Sequence, residues 1–374
     1  MSPFDFGAIG DGVADDTNAV QAALDAAAAH DATLHLPSAN YRILRPLKVK
    51  TSKAFSIRGD GYSTVLRHEF DGSLLSWPEG SVSTRVFVSD LAVVSAGPAK
   101  SPSTPAFHFP GGLTFGTFAN VMIDGSQQPV GSGIVVTGLI DTSTFSNCLM
   151  WRVSGIGFDL GHGSEVRIEG ARVTGVDTRQ EGNIGVLLRG SNGGVHISET
   201  DLIHVHTGMQ IGVPNGPSNR EVFLTHVTFD SSLYGLRQLD HTYTSVIGCW
   251  SASSDEAQIV LESSATGALL VVSGGTIFNG GAYSRGGANH GIVVKAGRFS
   301  LQGVSIRHNK GVGVLVEKPA HRYVIQNCRI HNNGVAAELR GSGFMFSGNL
   351  LYENGKGIHY EGTEPKQILG NLDT

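Results

Sequence analysis

From about residue 86 to the C-terminal end the chain repeats one phrase of apolar and polar positions: apolar, small or polar, Asn/Gly/acid, apolar, any, apolar. Phe118-Ala-Asn-Val-Met-Ile123, Phe145-Ser-Asn-Cys-Leu-Met150, Ile168-Glu-Gly-Ala-Arg-Val173, Leu301-Gln-Gly-Val-Ser-Ile306, Ile325-Gln-Asn-Cys-Arg-Ile330 and Phe346-Ser-Gly-Asn-Leu-Leu351 are copies. Their first apolar positions (Phe118, Phe145, Ile168, Ile197, Leu224, Val246, Val272, Leu301, Ile325, Phe346) follow one another at 21 to 29 residues. Periods of that size mean stacked structural units. Within a copy the alternation has period two, as a strand requires, and it breaks at the Asn/Gly position, where the backbone must take a shape those residues tolerate best. Two short strands therefore meet at a corner. A variable polar stretch follows, and then a third strand such as Gly155-Ile-Gly-Phe-Asp-Leu160, Gly291-Ile-Val-Val-Lys295 or Gly313-Val-Leu-Val-Glu317. Three strands per coil, every coil running the same way, predict an all-β parallel β-helix of about 11–12 coils. Residues 1–45 read as its N-terminal cap segment and 46–374 as one continuous β-helical domain.

Composition agrees with many short strands and turns: 40% of residues are hydrophobic, 16% are charged, and there are 51 glycines. The formal net charge of -5 supplies no basic field, so neither nucleic acid nor an anionic membrane is an expected partner, and an acidic polysaccharide would need a local basic patch. Cys148, Cys249 and Cys328 each take the inward position just after the corner and read as separate core thiols. No long apolar run predicts a membrane span, and no Sec-type signal begins the sequence.

Near the N-terminus, Asp16 or Thr17 can cap a helix whose apolar face includes Val20, Ala23, Leu24 and Ala27. Such a helix would cover the open apolar end of a β-helix. Residues Asp5 to Thr17 read Asp-Phe-Gly-Ala-Ile-Gly-Asp-Gly-Val-Ala-Asp-Asp-Thr, and Leu36-Pro-Ser-Ala-Asn-Tyr41 follows. Both stretches resemble the start of the pectate-lyase-like superfamily of right-handed β-helices, with Ala39 at the usual Gly of the second motif. The resemblance implies the fold. It also implies a polysaccharide partner, a polygalacturonase-like or tailspike-like setting that is extracellular or virion-associated, and, for the tailspikes, a homotrimer with parallel long axes. It places sugar along the third-strand face. The aspartates of the motif, Asp5, Asp11, Asp15 and Asp16, read as turn and cap residues.

Alternation turns Asp159, Gln210 and Arg237 outward on that face, and the stretches entering the third strands carry Asp177, Arg179, Glu181, His204, His206, Asp230, Asp255 and Glu256. Glycoside hydrolysis needs two carboxyl groups, one protonated and one ionised. Asp159, Asp177, Glu181 and Asp230 are the catalytic candidates, with His204, His206, Gln210 and Arg237 as substrate-binding groups. Asp201 and Asp230 sit on a diagonal of roughly 8 Å on adjacent second strands, and Asp201 ranks below the others. Trp151 and Trp250 point outward from second strands and can stack on pyranose rings, or else be covered by a loop or a subunit contact. Glu262, Lys295 and Glu317 form a surface charge ladder, and His308, His331 and His359 read as solvated or turn residues. No metal or cofactor is indicated.

Three functions follow. The first is a glycoside hydrolase acting on a microbial surface or extracellular glycan. The second is a polysaccharide lyase or uronate epimerase, with Arg237 and His204 or His206 at a proton-abstraction site. Gly157, Phe158 and Asp159 match part of the mannuronan epimerase motif Tyr-Gly-Phe-Asp-Pro-His-Glu, with Ile156 at the Tyr and Leu160-Gly161 at the Pro-His. The third is a glycan-binding or structural β-helix without catalysis.

Overall fold

The computed structural model describes residues 1–283, 285–361 and 366–373. All its strands pair in parallel, and the winding makes about 14 turns rather than 11–12. The added turns come from the stretch before residue 86, where Leu34–Leu36 already pairs with Ile57–Gly59, and Phe55–Arg58 with Val86–Ser89. These early coils lack the repeating phrase, so the sequence pattern starts too late. The chain divides into two compact units, Met1–Leu187 and Leu188–Thr374.

In the first unit the helix Thr17–Ala29 buries Val20, Ala23, Leu24 and Ala27 against the opening strands. Asp16 stands at its N-cap, but its carboxylate does not cap the helix; it accepts instead from the N–H groups of Ile9 and Gly10, at 2.7 and 3.1 Å. Asp15 takes up the N–H of Thr17 at 3.0 Å, and Asp11 ties the turn at Val13 and Ala14. The motif aspartates are thus occupied in local turns. Behind them an aromatic spine fills the coil interiors. Phe118 lies 5.3 Å from Phe107 and 5.6 Å from Phe145, and Phe145 lies 5.5 Å from Phe158, ring centre to ring centre.

In the second unit a largely aliphatic column runs beside buried aromatics, with Tyr323 stacked between Phe299 and Phe344 at 4.8 Å from each. Its repeat positions fall in direct register, Ile197 beside Leu224, then Val246, Val272, Leu301, Ile325 and Phe346. In both units the corner between first and second strands is left-handed: φ is 53° at Asn120, 51° at Asn147, 64° at Gly303 and 54° at Asn327. That is the conformation the Asn/Gly position predicts, because an ordinary side chain resists it by about 1–2 kcal/mol. Asparagine ladders add a second periodic device. Asn309 Nδ2 donates to Asn333 Oδ1 at 2.9 Å, and Asn333 Nδ2 to Asn354 Oδ1 at 3.1 Å. The three cysteines are buried free thiols. Lys366–Leu369 pairs with Phe344–Ser347 and continues the winding.

Candidate carbohydrate site

On the first unit the outward positions of successive third strands form one column, Lys48 beside Ser76, Ser76 beside His108, His108 beside Val135 and Val135 beside Asp159. His108 points outward because Phe107 and Phe109, on either side of it in sequence, are both fully buried. The chain leaving Ser76 turns through Trp77, Pro78 and Glu79 and raises a wall beside this column. Together with Lys48, Lys50, His108 and Pro110 it encloses a cleft of about 550 Å³. Trp77 is buried and stacks on Phe109 at 4.1 Å, which fixes the wall from behind.

His108 holds the electrostatic centre of the column. Burial pushes its imidazole below the usual histidine value, and the negative charges of Glu79 and Asp159 oppose that shift from within interaction range. Its ring lies 3.3 Å from the Thr137 hydroxyl. Asp159 faces outward as alternation requires, but it is only 4% exposed, so the open carboxylate expected from the sequence is in fact nearly removed from water. Removing a carboxylate from water is costly, and a protein retains such a group only with compensating interactions.

The other first-unit candidates lie in the loop entering the strand at Ile184. Asp177 is exposed, with its carboxylate accepting from the Arg179 N–H at 2.8 Å, and Glu181 is exposed. Gln180 and Asn183 tie this loop to the turn preceding Asp159, through Ser154 O at 2.7 Å and Val153 O at 2.8 Å. Trp151 is 46% exposed on a second strand.

The second unit gathers the remaining candidates over adjacent coils. The His204 N–H donates to the Asp230 carbonyl at 3.0 Å, and Asp230 Oδ1 accepts from the Ser231 hydroxyl at 3.1 Å. His206 packs edge-on against Tyr234 at 5.8 Å, with Nδ1 3.0 Å from the Thr207 hydroxyl. Gln210 stands in register with Arg237, and its amide is taken up by Gly212 O at 3.1 Å. Arg237 lies 2.7 Å from Glu262 and covers the Tyr234 ring. Lys295 reaches the other Glu262 oxygen at 2.8 Å, so the charge ladder is knit rather than merely solvated. Asp201 pairs with Thr228 and Asp230 with Ile203, which gives the diagonal foreseen. Trp250 is 46% exposed and stacks on Phe278. Asp255 is bridged by Arg285 at 2.7 Å.

Lys48, Lys50, Trp77, Glu79 and His108 were not legible as site residues. The third strands Leu47–Lys48 and Leu75–Ser76 are two residues long, too short to show a period. The usable signal was the alternation in Pro105-Ala-Phe-His-Phe109, which turns one histidine out between two buried phenylalanines. Among the described residues no cluster of three or more His, Cys, Asp or Glu could hold a metal ion.

A parallel β-solenoid with a walled cleft over one strand face defines a broad class, and the sequence comparisons narrow it. Residues 185–372 match the family model of the right-handed β-helix region, and residues 4–96 match that of the rhamnogalacturonase A/epimerase, pectate lyase-like proteins. The first match spans half of the chain, which therefore belongs to the right-handed β-helix family. Mannuronan C5-epimerases AlgE5 and AlgE2 of Azotobacter vinelandii are each 62% identical over 40 residues, 10% of this chain. The matched stretch spans only 4% of these curated relatives. Among solved structures, the N-terminal fragment of bacteriophage Phi29 gene product 12 matches with a TM-score of 0.71 at 13% identity, covering 100% of this chain and 70% of that one. The Acinetobacter phage vb_AbaP_AS12 gp42 tailspike matches with a TM-score of 0.53 at 10% identity, over 98% of this chain and 62% of that one. At those identities the likeness is one of fold.

Proposed function

We propose that the chain is a polysaccharide-active enzyme, a glycoside hydrolase whose substrate lies along the third-strand face of the first unit. The observation that carries the reading is an open cleft lined by Glu79 and His108, with Asp159 in the same outward column two coils beyond His108. Nearly dry Asp159 and exposed Glu79 occupy opposite environments. Glycoside cleavage needs two carboxyl groups, and these are the two that the column and its wall supply. Asp177 and Glu181 border the same face and serve in substrate contact or as the alternative second carboxyl group. The tailspike fold neighbours support a glycan of a microbial surface, met by an extracellular or virion-associated protein, with the trimer as the associated assembly.

A second reading rests on Lys48 and His108 in one column. A lysine that neutralises a uronate carboxylate beside a neutral imidazole that removes the adjacent proton would make a lyase or an epimerase. Incubation with a panel of glycans separates these. New reducing ends mark the hydrolase, unsaturated products absorbing in the ultraviolet mark the lyase, and altered residue ratios without cleavage mark the epimerase. Asp159→Asn and Glu79→Gln are expected each to lose most of the turnover; full rates in both would overturn the assignment.

A further inference from the structure

The second strands of the second unit carry an outward column that no part of the cleft reading uses. Phe278, Arg307, His331 and Tyr352 stand in register on successive coils. The column holds two stacked pairs: the Arg307 guanidinium lies 4.4 Å from the Phe278 ring centre, and the His331 and Tyr352 rings lie 4.4 Å apart and nearly parallel at 9°. Trp250 extends it at one end, 5.7 Å from Phe278. The side chains are half-buried and Trp250 is exposed, so the column, whose ring faces are taken up by its own neighbours, turns ring edges to solvent.

The column borders a cleft of about 380 Å³ that includes His308, Lys310, Asn332 and Glu353. Its charge balance is positive. Arg307 and the exposed Arg329 have no carboxylate partner among the described residues, against the single carboxylate of Glu353, which accepts from Asn332 at 3.0 Å. The His308 imidazole is held below its usual value by burial first and by Arg307 and His331 next, with Glu353 opposing. On a chain of net charge -5, this is the local basic patch that an acidic sugar would require.

We infer that the second-strand face of the second unit, from Trp250 to Tyr352, binds an anionic glycan, whose sugar rings pack on exposed Trp250 and along the open edges of the aromatic column while Arg307 and Arg329 engage its carboxylate or phosphate groups. Strand spacing places Phe278 and Tyr352 roughly 14 Å apart, so the site spans several sugar rings. The inference does not depend on the cleavage reading, because it concerns binding on another face and is measured without turnover.

The test titrates the full chain, by fluorescence and calorimetry, with a galacturonate oligomer, a phosphodiester-linked glycan oligomer and a neutral 1,4-linked glucose oligomer. Binding of at least one anionic oligomer is expected, weaker for the neutral one and falling as salt rises. The R307Q/R329Q double variant is expected to weaken that binding about tenfold or more, and Trp250→Phe to remove the fluorescence response. A second charge variant, Lys310→Glu, covers the case in which the double variant unfolds. If neither anionic oligomer binds, or if binding survives both charge variants at full strength, the inference is overturned.

Discussion

The outward third-strand positions of the two units share one backbone design and carry opposite surfaces. In the first unit the column runs Lys48, Ser76, His108, Val135, Asp159, polar with one exception and opening on a cleft. In the second, Gln210 and Arg237 lead into Val260, Val293 and Leu315, and only then to Glu338 and His359. Val260 and Val293 pack with Ala257, Tyr234 and Leu315 as an apolar cluster outside the coil interior. At the edge of the cluster, Glu262 is clamped by Arg237 and Lys295. A solenoid fixes where a side chain points and leaves its chemistry free. The first unit uses that freedom to keep titratable groups together, and the second to seal them.

The sharpest way to test whether the two interiors are equivalent is to remove their cores. Phe145→Ala in the aromatic spine is expected to cost about 3–5 kcal/mol and Leu224→Ala in the aliphatic column about 2–5 kcal/mol, both read by chemical denaturation. Equal, small losses would mean that the coils tolerate cavities better than their burial implies. The contrast between the two faces predicts that Glu79→Gln lowers glycan turnover by about 10²-fold or more while Glu262→Gln leaves it unchanged.

Acid separates the units next. Burial pushes His68 down to about 4, against an ordinary value of 6.5. Between those values the unfolded chain binds the proton and the folded one does not, so stability is complete above 6.5 and falls as pH drops towards 4. The loss is on the order of 3 kcal/mol and should be reduced in His68→Gln. Glu262 works in a lower window. Burial raises its carboxyl, but hydrogen bonds and charges from Lys295 and Arg237 outweigh burial and hold it below the ordinary 4.5. Its contribution is present above 4.5 and lost as pH falls through the depressed value. Glu262→Gln is therefore expected to cost about 1–2 kcal/mol at neutral pH, a difference that narrows in acid. Smallest is the corner itself. Gly303→Ala, at φ 64°, is expected to cost about 1 kcal/mol, whereas Asn147→Gly at the equivalent corner should change stability by a few tenths.

Much of the fold was legible because one backbone requirement recurs. The left-handed corner selects Asn or Gly at positions 120, 147, 303 and 327, and the apolar positions around it stack in register. The site was less legible, for a physical reason. Whether Asp159 meets water depends on coils distant in sequence, and alternation gives its direction without its environment. The three residues of Trp77-Pro-Glu79 make a wall only because the two-residue strand before them ends where it does. In the second unit, Arg237 points outward as alternation says, but the carboxylate that engages it lies 25 residues away.

The buried thiols give the molecule an internal clock. Burial raises Cys148 to about 12 and Cys249 to about 11, and it raises Cys328 as well, so all three stay protonated and unreactive while their coils remain closed. An alkylating reagent can modify each only during local opening. Cys148 would then time the loosening of the first unit, and Cys249 and Cys328 that of the second, without an added label.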